Sequence, residues 1–101
     1  MSEKIIVHVD PDLEELVPGF LDNRRRDVGT VREALEKGDW ESIRITGHSM
    51  KGAGGGYGFD AVTEYGARLE QAAVAGDPAA VREAAAALED YLARVQVVYD
   101  A

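Results

Sequence analysis

The residues with the most chemistry to offer crowd into positions 47–58, which read GHSMKGAGGGYG. His48 is one of two histidines in the chain, the other being His8. An exposed imidazole is largely neutral near pH 7, because its ordinary pKa is about 6.5, and the neutral ring is a nucleophile. Lys51 follows three residues later, and Arg44 precedes by four. On a helix both cations lie one turn from the ring. A lysine there offsets the charge of an anionic group attached to the ring, acting as a point charge. The residues describe a carrier that holds a group on a ring nitrogen.

Other chemistries fit less well. A phosphate-cradling loop places its lysine after the glycines, as G-x-x-x-x-G-K-[ST], between a strand and a helix. Here Lys51 precedes most of them. No G-x-G-x-x-G pattern is present: counting from Gly52 the sixth residue is Tyr57, and from Gly54 it is Phe59. Nothing signals a serine–histidine pair or an oxyanion loop. No second histidine or carboxylate pair is spaced for a metal unless His8 folds back. With no cysteine, thiolate sites and disulfides are excluded.

At about 100° per residue, Ile43, Thr46, Met50, Ala53, Gly54 and Tyr57 share one face of a helix. Glu41, Arg44, Ile45, His48, Lys51, Gly52 and Gly55 share the other. The imidazole is therefore expected to face solvent near the middle of a helix. Gly52 and Gly55 leave the surface beside it bare. Glycine inside a helix costs roughly 1 kcal/mol against alanine, and alanine is freely used at positions 84–87. The glycines thus point to a constraint. On the exposed side it is clearance for another molecule. On the core side, at Gly54, it is close helix packing. Ile45 is the apolar residue of the exposed face best placed to touch a partner.

The elements that must hold this helix can be located from their ends. KIIVHVD alternates loosely and is expected as an extended lead-in carrying His8. Asp10 and Pro11 start a short helix, with Asp12, Glu14 and Glu15 suiting its N-terminal dipole. Pro18 bends or restarts it. Apolar residues at Phe20, Leu21, Val28, Val31 and Leu35 continue to a stop at Gly38, and Asp39 caps the next helix. That helix begins at Trp40 and runs through the glycines to a break at Gly58. Asp60 is expected to cap a further helix ending at Gly76. Asp77 and Pro78 open the last one, which runs through Val81, Leu88, Leu92 and Val95 to Tyr99. Strand signal is slight outside the lead-in. Short connections between amphipathic helices predict an all-α fold, an antiparallel four-helix bundle with a short extra N-terminal helix. Arg24, Arg25 and Arg26 read equally as a solvated face or a docking patch. Trp40, Tyr57, Phe59, Tyr65 and Tyr91 read as core or rim.

Bulk properties agree. The 101 residues suit one domain spanning 1–101, and an apolar content of 46% supports a core. A net charge of −8 disfavours nucleic acid and anionic membrane surfaces as partners. No apolar run approaches the roughly 18 to 20 residues of a membrane span. No signal-peptide pattern opens the chain. A cytoplasmic, monomeric protein is expected.

The stretch HSMKGAGGGYG resembles the signature of histidine phosphotransfer (HPt) domains. There a histidine is followed by x-Leu-Lys-Gly, and a further glycine lies ten residues after the histidine. His48, Met50, Lys51, Gly52 and Gly58 fill those positions. DPDLEELVPGFLDNRRRDV, ALEKGDW and LEQAAVAGD follow the family's order across nearly the whole chain. Two departures stand out: Met50 replaces the usual leucine, and Gly54, Gly55 and Gly56 replace residues that are more often serine or alanine. The resemblance implies a four-helix bundle whose histidine takes a phosphoryl group from a receiver-domain aspartate and passes it to another receiver. It implies His48 as phosphoacceptor, Lys51 as the phosphate-neutralising residue and Gly52 as the clearance residue. Arg44, Ile45 and Gly55 would meet the partner, a response-regulator receiver domain or hybrid histidine kinase. The Mg²⁺ of the reaction is expected in the receiver, with no metal or cofactor held by this chain. Two rival functions come from other classes. One is an HPt-like interaction module that binds a receiver or kinase without phosphotransfer, and the intact His48–Lys51 pair disfavours it. The other is an enzyme using His48 as general base, for which no acid partner is evident.

Overall fold

The computed structural model describes residues 3–100. Strand β1 (Ile5–Val9) leads through a 3-10 turn (Pro11–Leu13) into helix α1 (Val17–Lys37). Helix α2 (Trp40–Gly54) runs into a second 3-10 turn (Gly55–Tyr57) and then helix α3 (Asp60–Ala75). Helix α4 (Pro78–Arg94) passes directly into strand β2 (Val95–Tyr99). Each helix packs on the next and α1 packs on α4, which closes the four into a bundle.

The helix ends follow from local chemistry. Gly38 and Gly76 adopt left-handed backbone, with φ of 69° and 63°. Each ends its helix with the same pair of hydrogen bonds. Asp39 N–H donates to Ala34 O at 2.8 Å, and Gly38 N–H to Leu35 O at 3.2 Å. Asp77 N–H and Gly76 N–H repeat this on Ala72 O and Ala73 O. These two hydrogen bonds satisfy carbonyls that a helix C-terminus leaves unpaired. The following aspartates start the next helices. Asp39 accepts from Ser42 N–H and Asp77 from Ala80 N–H, both at 3.1 Å.

Three expectations need correction, and the one for Pro18 holds. The N-terminal helix is a single 3-10 turn, held by Asp12 N–H donating to Asp10 Oδ1 at 2.9 Å. Too few residues separate Pro11 from α1 to offset the cost of helix nucleation. Pro18 restarts the helix as expected, sitting in the first turn of α1, where its missing N–H deprives nothing of a bond. Asp60 is the first residue of α3 and not its cap; that position belongs to Phe59, whose side chain is fully buried. The last helix stops at Arg94, and Val95–Tyr99 is a strand, so the fold is mostly helical and not purely so.

β1 and β2 pair in parallel, with Ile5 opposite Val95, Val7 opposite Val97 and Val9 opposite Tyr99. These six side chains pack on the core, and Val9 is buried. A parallel pair needs a long crossover, and here that crossover is the whole bundle. Val95 and Tyr99 are four residues apart, a spacing that suits a helix face and a strand face alike. Val97 separates the two: it would leave a helix core face but lies on the inner face of the strand.

Ile43 and Met50 of α2, Val62 and Leu69 of α3, Val81 and Leu88 of α4, and Val17 and Val31 of α1 are fully buried. No polar or charged residue among the described ones is buried. The ring of Phe20 stacks on Tyr57 at 4.5 Å and on Phe59 at 5.2 Å. This aromatic trio ties the turn after α2 to α1. Among the described residues, no helix is long and apolar enough to cross a membrane.

Candidate functional site

α2 presents the two faces expected of it. Ile43, Gly47, Met50 and Gly54 are buried, while Glu41, Ile45, His48, Lys51 and Gly52 are exposed. The side chain of His48 retains 69% of its accessible surface. Its Nδ1 lies 2.9 Å from Oε2 of Glu70 on α3. The carboxylate accepts, so in the neutral ring Nδ1–H donates and the lone pair is left on Nε2. Among the described residues Nε2 has no hydrogen-bond partner. Oε1 of the same carboxylate lies 3.7 Å from Lys51 Nζ. Glu70 is the least exposed of the three, at 21%. One carboxylate thus fixes the ring's orientation and holds a cation a turn away.

α3 reaches this position because it approaches α2 very closely. Contacts between them pair Gly54 with Thr63, Lys51 with Gly66 and Gly47 with Glu70. Residue numbers rise along α2 as they fall along α3. A Cβ placed on Gly66 would lie 2.5 Å from Lys51 N, and one on Gly47 would lie 2.7 Å from Glu70 N. Backbone therefore meets backbone beside the site. Gly54 is equally constrained, its missing Cβ falling 2.5 Å from Thr63 Oγ1.

The bare surface beside His48 has a different character. A Cβ at Gly52 or Gly56 would meet nothing within 4 Å, and one at Gly55 only Thr63 Oγ1 at 4.0 Å. Gly55 belongs to the 3-10 turn after α2, one position beyond the helix that the periodicity assigned it to. These glycines are not required by the packing of the chain itself.

Residues 15–97 match the family model described as Hpt domain. The chain belongs to the Hpt-domain family. No curated protein and no solved structure gives a match. Hpt domains are phosphocarrier modules of two-component signalling and interact with receiver domains and kinases. The resemblance carried by His48, Met50, Lys51, Gly52 and Gly58 therefore identifies the family correctly.

Within this Hpt domain, several site residues differ from their expected surroundings. Arg44 lies on the expected face, but its guanidinium is held in a two-point contact by Glu41 of the same helix. That hydrogen bond raises its pKa above the ordinary arginine value. Ile45 is exposed, as the periodicity predicts. His8 stays at the ribbon, where Nδ1 meets Asp100 Oδ2 at 2.7 Å. Arg24 pairs with Asp27 and stacks on Phe20, and Arg25 pairs with Asp22, so both serve α1 itself. No group of three His, Cys, Asp or Glu among the described residues could hold a metal.

Sequence reasoning missed Glu70, Gly47, Gly66 and Val74. Glu70 is one acid among many, and only the α2–α3 register selects it. Gly66 carried a faint signal, as a lone glycine inside an otherwise strong helix pattern. Val74, one turn beyond Glu70, is the most exposed large apolar residue among the described ones.

Proposed function

We propose that this Hpt domain relays a phosphoryl group between receiver-domain aspartates through a phosphohistidine at His48. The observation that carries the reading is the hydrogen bond from His48 Nδ1 to Glu70, which leaves Nε2 exposed and holding the lone pair. Nε2 attacks the phosphorus of the partner's aspartyl phosphate. The new N–P bond forms as the P–O bond to the aspartyl carboxylate breaks, and the carboxylate leaves. The ring becomes cationic, its proton stays on Nδ1, and Glu70 stabilises the charge. The return step reverses this, with the next receiver's carboxylate attacking phosphorus and the neutral imidazole leaving.

Lys51 offsets part of the close to two negative charges that a phosphoryl group brings. Gly52 and Gly55 give the partner clearance, and Ile45 and Val74 offer it apolar contact. Arg44 contributes once the partner displaces Glu41. Mg²⁺ belongs to the receiver. This chain serves as the carrier, and the receiver supplies the aspartate and completes the reaction.

The test is to incubate the protein with a receiver phosphorylated on its aspartate. Acid-labile, alkali-stable label should appear on the wild type and be absent from a folded His48→Gln. Receiver binding with no label on the wild type would instead support an interaction module.

A further inference from the structure

We infer that Gly47 and Gly66 are positioning residues for the chemistry at His48, because their missing side chains set the α2–α3 spacing at which Glu70 reaches the imidazole. This rests on the reading of His48 as the phosphoacceptor, although its central measurement does not need phosphorylation.

The placement carries the inference. Gly47 immediately precedes His48, and Gly66 lies one turn before Glu70. The residues where the two backbones touch are thus next to the residues whose side chains interact. A Cβ on Gly66 would fall 2.5 Å from Lys51 N and 2.7 Å from Gly47 O. A Cβ on Gly47 would fall 2.7 Å from both Glu70 N and Gly66 O, and 3.1 Å from Leu69 Cβ. Most of these neighbours are main-chain atoms, which cannot swing aside as a side-chain tip can. Non-bonded carbon contacts settle at about 3.5 to 4.0 Å, so one methyl group must part the helices by roughly 1 Å. The bond from His48 to Glu70 is 2.9 Å, and such bonds fade beyond about 3.2 Å. A shift of that size is enough to uncouple the ring from the carboxylate. Lys51 is affected as well, since its own backbone N is the atom that Gly66 approaches.

Simple close packing would not require this arrangement at the site. Gly54 makes the same kind of close contact with Thr63, but Thr63 lies seven positions before Glu70, about 10 Å along α3. Gly54 is therefore the internal control, a tight glycine on the same pair of helices but distant from the carboxylate.

The experiment reads the tautomer of His48 by ¹⁵N NMR of the unphosphorylated protein. It also reads, by ³¹P NMR, which ring nitrogen is phosphorylated by the small donor phosphoramidate. Gly47→Ala and Gly66→Ala should both move the ring from the Nδ1–H form towards the signature of Glu70→Ala. Both should yield phosphorylation at Nδ1 as well as Nε2. Gly54→Ala should lower the melting temperature and leave the tautomer as in the wild type. In a Glu70→Ala background, Gly66→Ala should change the tautomer no further. The inference is overturned if folded Gly47→Ala and Gly66→Ala keep the wild-type tautomer, or if Gly54→Ala shifts it as much as they do. Should neither crossing variant fold, Glu70→Asp decides the matter by withdrawing the carboxylate one methylene with both glycines in place. It should reproduce the Glu70→Ala tautomer, and a wild-type tautomer would show that the contact tolerates the wider gap. If phosphoramidate labels neither nitrogen of the wild type, the phosphoacceptor reading fails, while the tautomer comparison still judges the glycines.

Discussion

His48 Nδ1 and Glu70 Oε2 lie 2.9 Å apart although 22 positions separate them in the chain. On the proposed mechanism, the bond selects the nitrogen that reacts and supplies a negative charge where the ring becomes positive. Glu70→Ala should slow phosphoryl transfer from a receiver by about 10- to 100-fold, the scale of a reacting group released from its orientation. Glu70→Gln keeps a hydrogen-bonding group and should lose less. Stopped-flow transfer rates check both, and equal rates in all three proteins would remove Glu70 from the mechanism.

Lys51 pairs with Glu70 at 3.7 Å before any phosphoryl group arrives. Its attraction to phosphohistidine is exposed and screened, so about 1 kcal/mol, or roughly fivefold, is the expected scale. Lys51→Ala should shorten the phosphohistidine lifetime or slow transfer by that factor at low salt. The difference from wild type should shrink in high salt. Receiver affinity, measured by titration, should largely survive.

Adjacent glycines at the end of α2 should respond in opposite ways. Gly54→Ala drives a Cβ against Thr63 and should cost about 1 to 3 kcal/mol of stability. Gly55 has ordinary helical backbone with φ of −63° and an open Cβ position. Gly55→Ala should therefore be neutral or stabilising by up to about 1 kcal/mol, with transfer retained. Gly55→Arg should keep the melting temperature and lower transfer. Melting curves and transfer rates on the same samples decide whether Gly55 provides clearance.

The strand ribbon makes its own prediction. Val9 of β1 is buried against the core, while Ile6 on the outer face of the same strand is about half exposed. Val9→Ala should lower stability by about 1 to 3 kcal/mol, and Ile6→Ala should change it by less than about 0.5 kcal/mol. Equal effects in chemical denaturation would contradict the pairing.

Asp39 provides a test by pH. Hydrogen bonds from the Ser42 hydroxyl and backbone N–H hold its carboxyl below the ordinary value of 3.8. A depressed folded-state pKa means that its contribution is complete above the ordinary value and is lost as pH falls through the lowered one. Asn at this position still caps but does not titrate. The stability difference between wild type and Asp39→Asn should therefore shrink as the pH is taken from about 6 to about 2. A difference independent of pH would mean that the charge contributes nothing.

How much of this was legible in the sequence depends on the distance over which each feature is decided. Gly38–Asp39 and Gly76–Asp77 mark helix ends through bonds spanning five residues, so their sequence pattern is sufficient. The outward face of His48 and Lys51 follows from the period of a single helix, and it too was legible. Glu70 was not, because its role depends on how α3 is registered against α2. Beside Glu70 that register is set by Gly47 and Gly66, residues with no side chain to leave a pattern. The strand at Val95–Tyr99 was hidden for a related reason. Val95 and Tyr99 fit either period, and the choice was made by Ile5–Val9 at the other end of the chain. Local hydrogen bonding and amphipathic periodicity are written along the sequence and determined the helices, the exposed histidine and its lysine. The carboxylate that orients the ring and the ribbon that joins the two ends come from contacts between distant segments, which only the packed bundle brings into register.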